Sequence, residues 1–108
     1  MNNTGLTTTE METMKRLFSE FATIREVILY GSRAKGSFHA GSDIDLAVTG
    51  LENALQAESL AEALEELPLP YRFDVRSYEM IGNAALRDHI DRVGIVLYRR
   101  DHQPNPTT

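Results

Sequence analysis

The sequence predicts a small α/β (or α+β) domain, with a mixed sheet of three to four strands and helices on one face. Segments with helical periodicity alternate with short β-rich runs along the 108 residues. Two of those runs alternate between apolar and polar side chains, which is typical of strands with one charged face. The length suits one domain, so we expect residues 1–100 to fold as a unit and the polar tail, residues 101–108, to be disordered.

The first helix is predicted over roughly residues 9–23. Two overlapping capping boxes, Thr7-x-x-Glu10 and Thr9-x-x-Glu12, stand at its start. In such a box a hydroxyl and a carboxylate satisfy the first backbone N–H groups of the helix. Apolar residues then recur at spacings of three and four, which indicates an amphipathic helix: Met11, Met14, Leu17, Phe18 and Phe21.

Two strands and a glycine-containing turn follow this helix. Residues 25–30 are β-rich and end at Gly31, and residues 32–35 suit a single helical turn. Residues 43–49 alternate cleanly, so one face is apolar and the other carries acidic residues. The two faces are Ile44, Leu46 and Val48 on one side, and Asp43, Asp45 and Ala47 on the other.

The second half of the chain repeats the alternation of helix and strand. Residues 54–66 predict a helix that ends before two prolines, and residues 71–77 predict a third strand. A last helix is capped by Ser77 or Asn83, and residues 95–98 predict a fourth, short strand.

Composition excludes several classes of protein. The chain contains no cysteine, so it has neither a disulfide framework nor a thiolate zinc site. No apolar run approaches the roughly 20 residues that span a bilayer, and the N-terminus lacks the features of a secretory signal. These features predict a cytoplasmic protein with no membrane partner. The net charge of −5 argues against a role in coating DNA or RNA, because phosphate contacts require a basic surface.

Three aspartates have the pattern of a metal-dependent phosphoryl-transfer site. Asp43 and Asp45 are two residues apart on one strand and project to the same side, and Asp74 lies on the charged face of the next strand. Crowded carboxylates raise one another's pKa unless cations neutralise them. Magnesium is the natural neutraliser, and two such ions brace both the attacking and the leaving oxygen of a phosphoryl displacement.

The turn at Gly31 and Ser32 supplies a complementary anion site. Glycine allows backbone N–H groups to approach a phosphate closely, and the hydroxyl of Ser32 adds a donor. Charge-assisted hydrogen bonds to a triphosphate require basic residues nearby. The candidates are Arg33 and Lys35, directly after the turn, and Arg72 and Arg76, on either side of Asp74.

The segments GSRAKG, SDIDLAV and RFDV together resemble the polymerase beta-like nucleotidyltransferase superfamily. The family pattern is Gly-Ser, about ten residues, Asp-x-Asp, and a third carboxylate on a later strand. Gly31, Ser32, Asp43, Asp45 and Asp74 match this pattern without gaps, and the resemblance covers roughly residues 25–98. The branch that the chain resembles most is the minimal nucleotidyltransferase antitoxins that pair with HEPN-domain toxins.

The resemblance implies the nucleotidyltransferase fold and a specific activity. Family members hold two magnesium ions on the three aspartates, bind the nucleotide triphosphate at the Gly-Ser turn and release pyrophosphate. Several minimal antitoxins transfer AMP from ATP to a tyrosine of the HEPN toxin and so silence its RNase activity. By this analogy Asp74 helps to deprotonate the acceptor hydroxyl. Larger relatives carry additional domains for their acceptors, so here we expect the acceptor to arrive on the partner protein.

Simpler interpretations remain open from the residues alone. Asp74 between two arginines is also the pattern of a surface ion-pair ladder, and Arg33 and Lys35 also suit loop charges without a ligand. Arg72 and Arg76 suit structural partners of acids as well as phosphate ligands. At the level of function, the alternatives are a non-catalytic module that neutralises its partner by occlusion, and transfer to a small molecule or an RNA end. The base of the nucleotide has no recognisable signature in the sequence.

Overall fold

A computed structural model describes residues 4–100, which form one four-stranded mixed sheet. The strands lie in the order β3-β2-β1-β4 and comprise β1 (Glu26–Tyr30), β2 (Ile44–Thr49), β3 (Phe73–Ser77) and β4 (Ile95–Arg99). Strand β1 is antiparallel to both of its neighbours, whereas β2 and β3 are parallel. This architecture confirms the predicted fold class. The prediction of a disordered tail at 101–108 lies outside the described residues.

Within residues 4–100, four α-helices accompany the sheet: α1 (Thr8–Ser19), α2 (Ser32–Lys35), α3 (Ala54–Glu65) and α4 (Ala84–Val93), with a 3₁₀ turn at Tyr78–Met80 before α4. Helix α2 is the single turn that the sequence predicted. Of the two candidate caps for α4, Asn83 is the one that forms, because its side chain accepts a hydrogen bond from the N–H of Leu86.

Helix α1 is shorter than the predicted span of 9–23. The capping box of Thr7 and Glu10 fixes its start, with both reciprocal hydrogen bonds at 3.0 Å. After Ser19 the backbone bonds tighten to a spacing of three residues, ending with the N–H of Ile24 donating to Phe21. This tightening turns the chain toward β1 and buries Ile24 completely.

Most of the core lies between one face of the sheet and helices α1 and α3. Strands β1 and β2 contribute alternate residues to it, and Phe18 of α1 and Leu60 of α3 are fully buried against them. The buried strand residues in this cluster are Val27, Leu29, Ile44, Leu46 and Val48, together with Leu97 of β4. The apolar face predicted for residues 43–49 is therefore confirmed.

The opposite face of the sheet is partly covered by α4, which corrects the expectation that helices would lie on one face alone. Ile90 of α4 and Ile81 pack there against Tyr30 and Ala47 in a second, smaller cluster. On β1, Ile28 and Tyr30 alternate with the residues of the main core and therefore lie on this opposite face. They provide apolar surface against which α4 packs. Helix α4 therefore covers part of the sheet face that also carries Asp45.

Candidate active site

The parallel pairing of β2 with β3 brings two of the predicted aspartates side by side. Asp45 lies directly opposite Asp74 in the register, and paired strands are roughly 4.8 Å apart. Helix α3 makes this pairing possible, because parallel neighbours need a crossover connection of a dozen or more residues. Asp43 lies just before β2 and is exposed, two residues from Asp45 and on the same side of the strand.

The three carboxylates act on one another electrostatically. Partial burial raises the pKa of Asp45 above its ordinary value, and the neighbouring carboxylates of Asp74 and Asp43 raise it further. Arg76 opposes this rise without cancelling it. The sequence-predicted acids therefore form one negative cluster at this edge of the sheet.

The turn after β1 lies against this cluster. Tyr30 is paired with Asp45 in the sheet, so the next residue, Gly31, stands beside the Asp45 carboxylate. Gly31 has a φ of +78°, which L side chains rarely adopt, and a Cβ atom there would overlap the carboxylate of Asp45. Both the positive φ and the lack of space for a Cβ atom therefore require glycine at this position. Ser32 then begins α2, and Lys35 ends this helix with its side chain exposed.

Arg33 does not face the acidic cluster as a free cation. Its side chain is only 2% exposed, and it donates hydrogen bonds to the backbone oxygens of Thr4 (2.8 Å) and Ser42 (3.2 and 3.3 Å). The guanidinium also lies over the rings of Phe38 and Tyr71, at 5.0 and 4.9 Å. These contacts favour a structural role that secures the loop leading to Asp43, and they argue against the predicted phosphate contact.

Two further arginines and one tyrosine complete the site. Arg76 forms an ion pair with Asp74, with Nε 3.6 Å from Oδ2, and both side chains are about half exposed. Arg72 is exposed and directly precedes β3. Sequence reasoning missed Tyr30: it is 6% exposed and lies edge-on to His89. Burial raises the pKa of Tyr30, Asp74 and Asp45 raise it further, and Arg76 opposes them. The two-residue period of β1 places Tyr30 on the charged face, and this signal could have identified it.

Within residues 4–100, no group of three or more acidic or histidine side chains is arranged as a ready-made metal site. In the same part of the chain, no helix is long and apolar enough to cross a membrane.

Residues 12–103 match the family model described as polymerase beta, nucleotidyltransferase. The chain belongs to this nucleotidyltransferase family. The match covers most of the chain and includes every residue of the acidic cluster and the glycine turn. The predicted resemblance is confirmed at the level of the family.

Known relatives of this nucleotidyltransferase include a curated protein and several solved structures. The probable protein adenylyltransferase MntA of Haemophilus influenzae Rd is 29% identical over 94 residues, covering 85% of this chain and 82% of the relative. A structure described as a candidate minimal nucleotidyltransferase is 30% identical, with a TM-score of 0.61, and the match covers 81% of this chain and 88% of that one.

Two toxin–antitoxin complexes share the fold at lower identity. One contains AMP-PNP and is 21% identical, with a TM-score of 0.71, covering 84% of this chain and 74% of that one. The other is the tri-AMPylated HEPN toxin of Shewanella oneidensis with its minimal nucleotidyltransferase antitoxin. It is 18% identical, with a TM-score of 0.63, covering 82% of this chain and 69% of that one.

Proposed function

We propose that this nucleotidyltransferase transfers AMP from ATP, with magnesium, to a tyrosine hydroxyl of a partner HEPN toxin and so acts as its antitoxin. The observation that carries the proposal is the register of Asp45 against Asp74, with Asp43 and Gly31 beside them. The names of the relatives support the acceptor: one is a probable protein adenylyltransferase, and another complex holds an AMPylated HEPN toxin.

Asp43, Asp45 and Asp74 would hold the magnesium ions. Their oxygen ligands suit a hard cation. Burial and then the carboxylates of Asp74 and Asp43 raise the pKa of Asp45, and a bound cation would relieve the repulsion among these carboxylates. Bound magnesium would stabilise the charge that develops on the transferred phosphoryl group and on the leaving pyrophosphate. Asp74 and Asp43 are exposed enough to change rotamer, so their carboxylates can turn toward a bound cation.

Gly31, Ser32 and Lys35 would bind the triphosphate. The left-handed conformation of Gly31 lets the backbone pass close to the acidic cluster, so phosphates bound at the turn would lie next to the aspartates. Lys35 is exposed and free to reach an outer phosphate as a point charge. Arg33 stabilises the segment after this turn through its hydrogen bonds to the backbone oxygens of Thr4 and Ser42.

Asp74 would receive the proton of the acceptor hydroxyl. It is the carboxylate on β3, an edge strand of the sheet, and its side chain is 45% exposed. A hydroxyl carried by another protein can therefore approach Asp74 from the open side of the sheet. The attack on the α-phosphate forms an O–P bond to the acceptor, breaks the bond to pyrophosphate and leaves AMP on the acceptor.

The proposal is tested by incubating the protein with its cognate HEPN-domain partner, magnesium and ATP labelled at the α-phosphate. We expect label on the partner with the parent protein, and at least a 100-fold slower transfer with Asp43→Asn, since charge stabilisation of the transition state is lost. Glu62→Gln, an exposed carboxylate change on α3, is the matched control and should transfer at the parental rate. Neutralisation of the partner that survives both Asp43→Asn and Asp45→Asn would instead indicate occlusion, and label on RNA would indicate a different acceptor.

A further inference from the structure

Of the three aspartates in the acidic cluster, Asp43 alone has its backbone outside the sheet. Strand β2 begins at the next residue, whereas Asp45 and Asp74 are paired within the ladder of β2 and β3. Hydrogen bonds between strands therefore fix the backbone of two of the carboxylates. The position of the third depends on the loop that joins α2 to β2, residues 36–43.

This loop contains a tight turn at residues 39–42. The N–H of Ser42 donates to the carbonyl oxygen of His39 at 2.9 Å, and the hydroxyl of Ser42 accepts the N–H of His39 at 2.9 Å. The N–H of Gly41 also donates to Nδ1 of His39, at 3.2 Å. These three bonds close the turn on itself, but they do not connect it to the rest of the fold.

Arg33 makes that connection. Its Nε and one terminal nitrogen both donate to the carbonyl oxygen of Ser42, which directly precedes Asp43, and its other terminal nitrogen donates to Thr4. Arg33 belongs to α2, which begins directly after Gly31. One planar guanidinium thus joins the helix after the glycine turn, the residue before Asp43 and the N-terminal segment. The compact ammonium of a lysine would carry the same charge without this fork of donors.

Aromatic packing holds the guanidinium in place. The ring of Phe38 lies 5.0 Å from it and the ring of Tyr71 lies 4.9 Å from it. The hydroxyl of Tyr71 donates to the carboxylate of Glu10 at 2.8 Å, and Glu10 also caps the start of α1. A Cβ atom on Gly5 would overlap both the ring of Phe38 and the guanidinium, so the N-terminal segment packs tightly over them. Hydrogen bonds and packing together fix the orientation of the guanidinium.

We infer that Arg33 and Phe38 position Asp43 for magnesium binding. They hold the backbone of Ser42, so that the carboxylate of Asp43 stays beside those of the other two aspartates. The inference rests on the proposed function, in which Asp43 is a metal ligand. Without this hold, the loop would lose conformational entropy whenever the metal bound, and the affinity for magnesium would fall. Turnover at saturating magnesium would be retained, because the bound metal would restore the position of Asp43.

Phe38→Ala tests the inference with little disturbance of the fold. It removes one of the two rings at the guanidinium, and Phe38 lies outside both core clusters. The amide NMR signals of residues 43–45 are followed while magnesium is added to the nucleotide-free protein. We expect the Kd for magnesium to rise by about tenfold, because ordering even one residue has a cost of that size. In the transfer assay the KM for magnesium should rise in parallel, with kcat changed by less than about twofold.

Asn53→Ala is the matched control for lost stability. Asn53 caps α3, beyond the other end of β2, so its loss lowers the Tm without altering the loop before Asp43. We expect the Kd for magnesium in this variant to equal that of the parent. An equal rise of the Kd in Asn53→Ala and Phe38→Ala would show that lost stability alone weakens metal binding, and it would overturn the inference.

Arg33→Lys separates the charge of Arg33 from its geometry. The variant keeps a positive charge but loses the fork of donors, so we expect the Kd for magnesium to rise by about tenfold or more. Parental magnesium affinity in Arg33→Lys would show that the charge suffices, and it would contradict the positioning role. A raised KM for ATP with an unchanged Kd for magnesium would assign Arg33 to the nucleotide and overturn the inference.

Failure of this inference and failure of the proposed function give different results. An unchanged Kd for magnesium in both Phe38→Ala and Arg33→Lys would overturn the inference and leave the proposed function untouched. A parent protein that binds magnesium but transfers no AMP to the partner would contradict the proposed function. In that case the comparison of magnesium affinities would still decide the role of Arg33.

Discussion

The negative charge of Asp45 lowers the free energy of unfolding of the metal-free protein. Because burial and the carboxylates of Asp74 and Asp43 raise its pKa above the ordinary value of 3.8, the folded state holds this proton more tightly than the unfolded chain does. The ionised carboxylate of Asp45 therefore destabilises the folded state fully at pH values above the raised pKa. This destabilisation is relieved as the pH falls through that pKa toward 3.8.

Asp45→Asn should consequently increase the free energy of unfolding of the metal-free protein at pH 7, and this gain should shrink toward pH 4. Urea denaturation in the presence of EDTA at the two pH values measures the difference. Glu62→Gln on the exposed face of α3 is the control and should change unfolding little at either pH. A variant at Asp45 that is less stable than the parent at pH 7 would contradict the repulsion among the three carboxylates.

Arg33 is the residue on which the loop before Asp43 depends. Arg33→Met leaves the buried backbone oxygens of Thr4 and Ser42 without their donor, so we expect a loss of roughly 2–3 kcal/mol in the free energy of unfolding. Arg87→Met provides a matched control, because Arg87 also lies over a tyrosine ring, that of Tyr78 at 5.0 Å, but is exposed. Its loss should cost less than about 1 kcal/mol. Equal losses in the two variants, measured by urea denaturation, would show that the burial of Arg33 has no special weight.

At the scale of the element, the structure shows which of two predicted threonine caps begins α1. Thr7 forms the capping box with Glu10, whereas Thr9 lies within the helix. Thr7→Ala should therefore cost about 1 kcal/mol, and Thr9→Ala should be close to neutral. Thermal unfolding followed by circular dichroism measures both, and the reverse order would place the cap at Thr9.

The capping box should also depend on pH. The N–H of Thr7 and the hydroxyl of Tyr71 hold the pKa of Glu10 below its ordinary value of 4.5, so the stabilisation is present above pH 4.5 and is lost as the pH falls through the lowered pKa. The difference in Tm between Glu10→Gln and the parent should accordingly narrow below that range, because the parent then loses its ionised carboxylate as well. A difference that stays constant in acid would indicate that the ionised Glu10 carboxylate does not contribute.

At the scale of the whole molecule, magnesium and nucleotide should stabilise the entire fold. The acidic cluster lies on β2 and β3, and the glycine turn follows β1. A ligand can therefore bind to both only when the sheet is folded. At a ligand concentration 100 times its Kd the gain is about 2.7 kcal/mol, which corresponds to a rise of several degrees in Tm. We expect this rise with magnesium and AMP-PNP for the parent and for Glu62→Gln, and no rise for Asp43→Asn. An equal rise in all three proteins would place the nucleotide elsewhere.

Local sequence determined the elements of this fold and most of its candidate site. The two-residue period of residues 43–49 placed Asp43 and Asp45 on one face, and the apolar spacing in α1 and α3 predicted the helices that cover the other. These features are local, because the side-chain direction in a strand or helix follows from the backbone period alone. The glycine turn was equally recognisable, since its residues are adjacent in the chain.

Only the tertiary structure decided which charged residues face the site and what covers the sheet. Arg33 and Lys35 are two residues apart and equally basic, yet Arg33 is buried between Phe38 and Tyr71 while Lys35 remains exposed. The placement of α4 on the acidic face likewise depends on residues far apart in the chain. Burial results from packing between segments that are distant in the chain. The periodicity of apolar and polar residues within one segment does not show which other segments pack against it. The sequence by itself therefore determined the chemistry available to this protein, and the fold decided which of those groups are free to act.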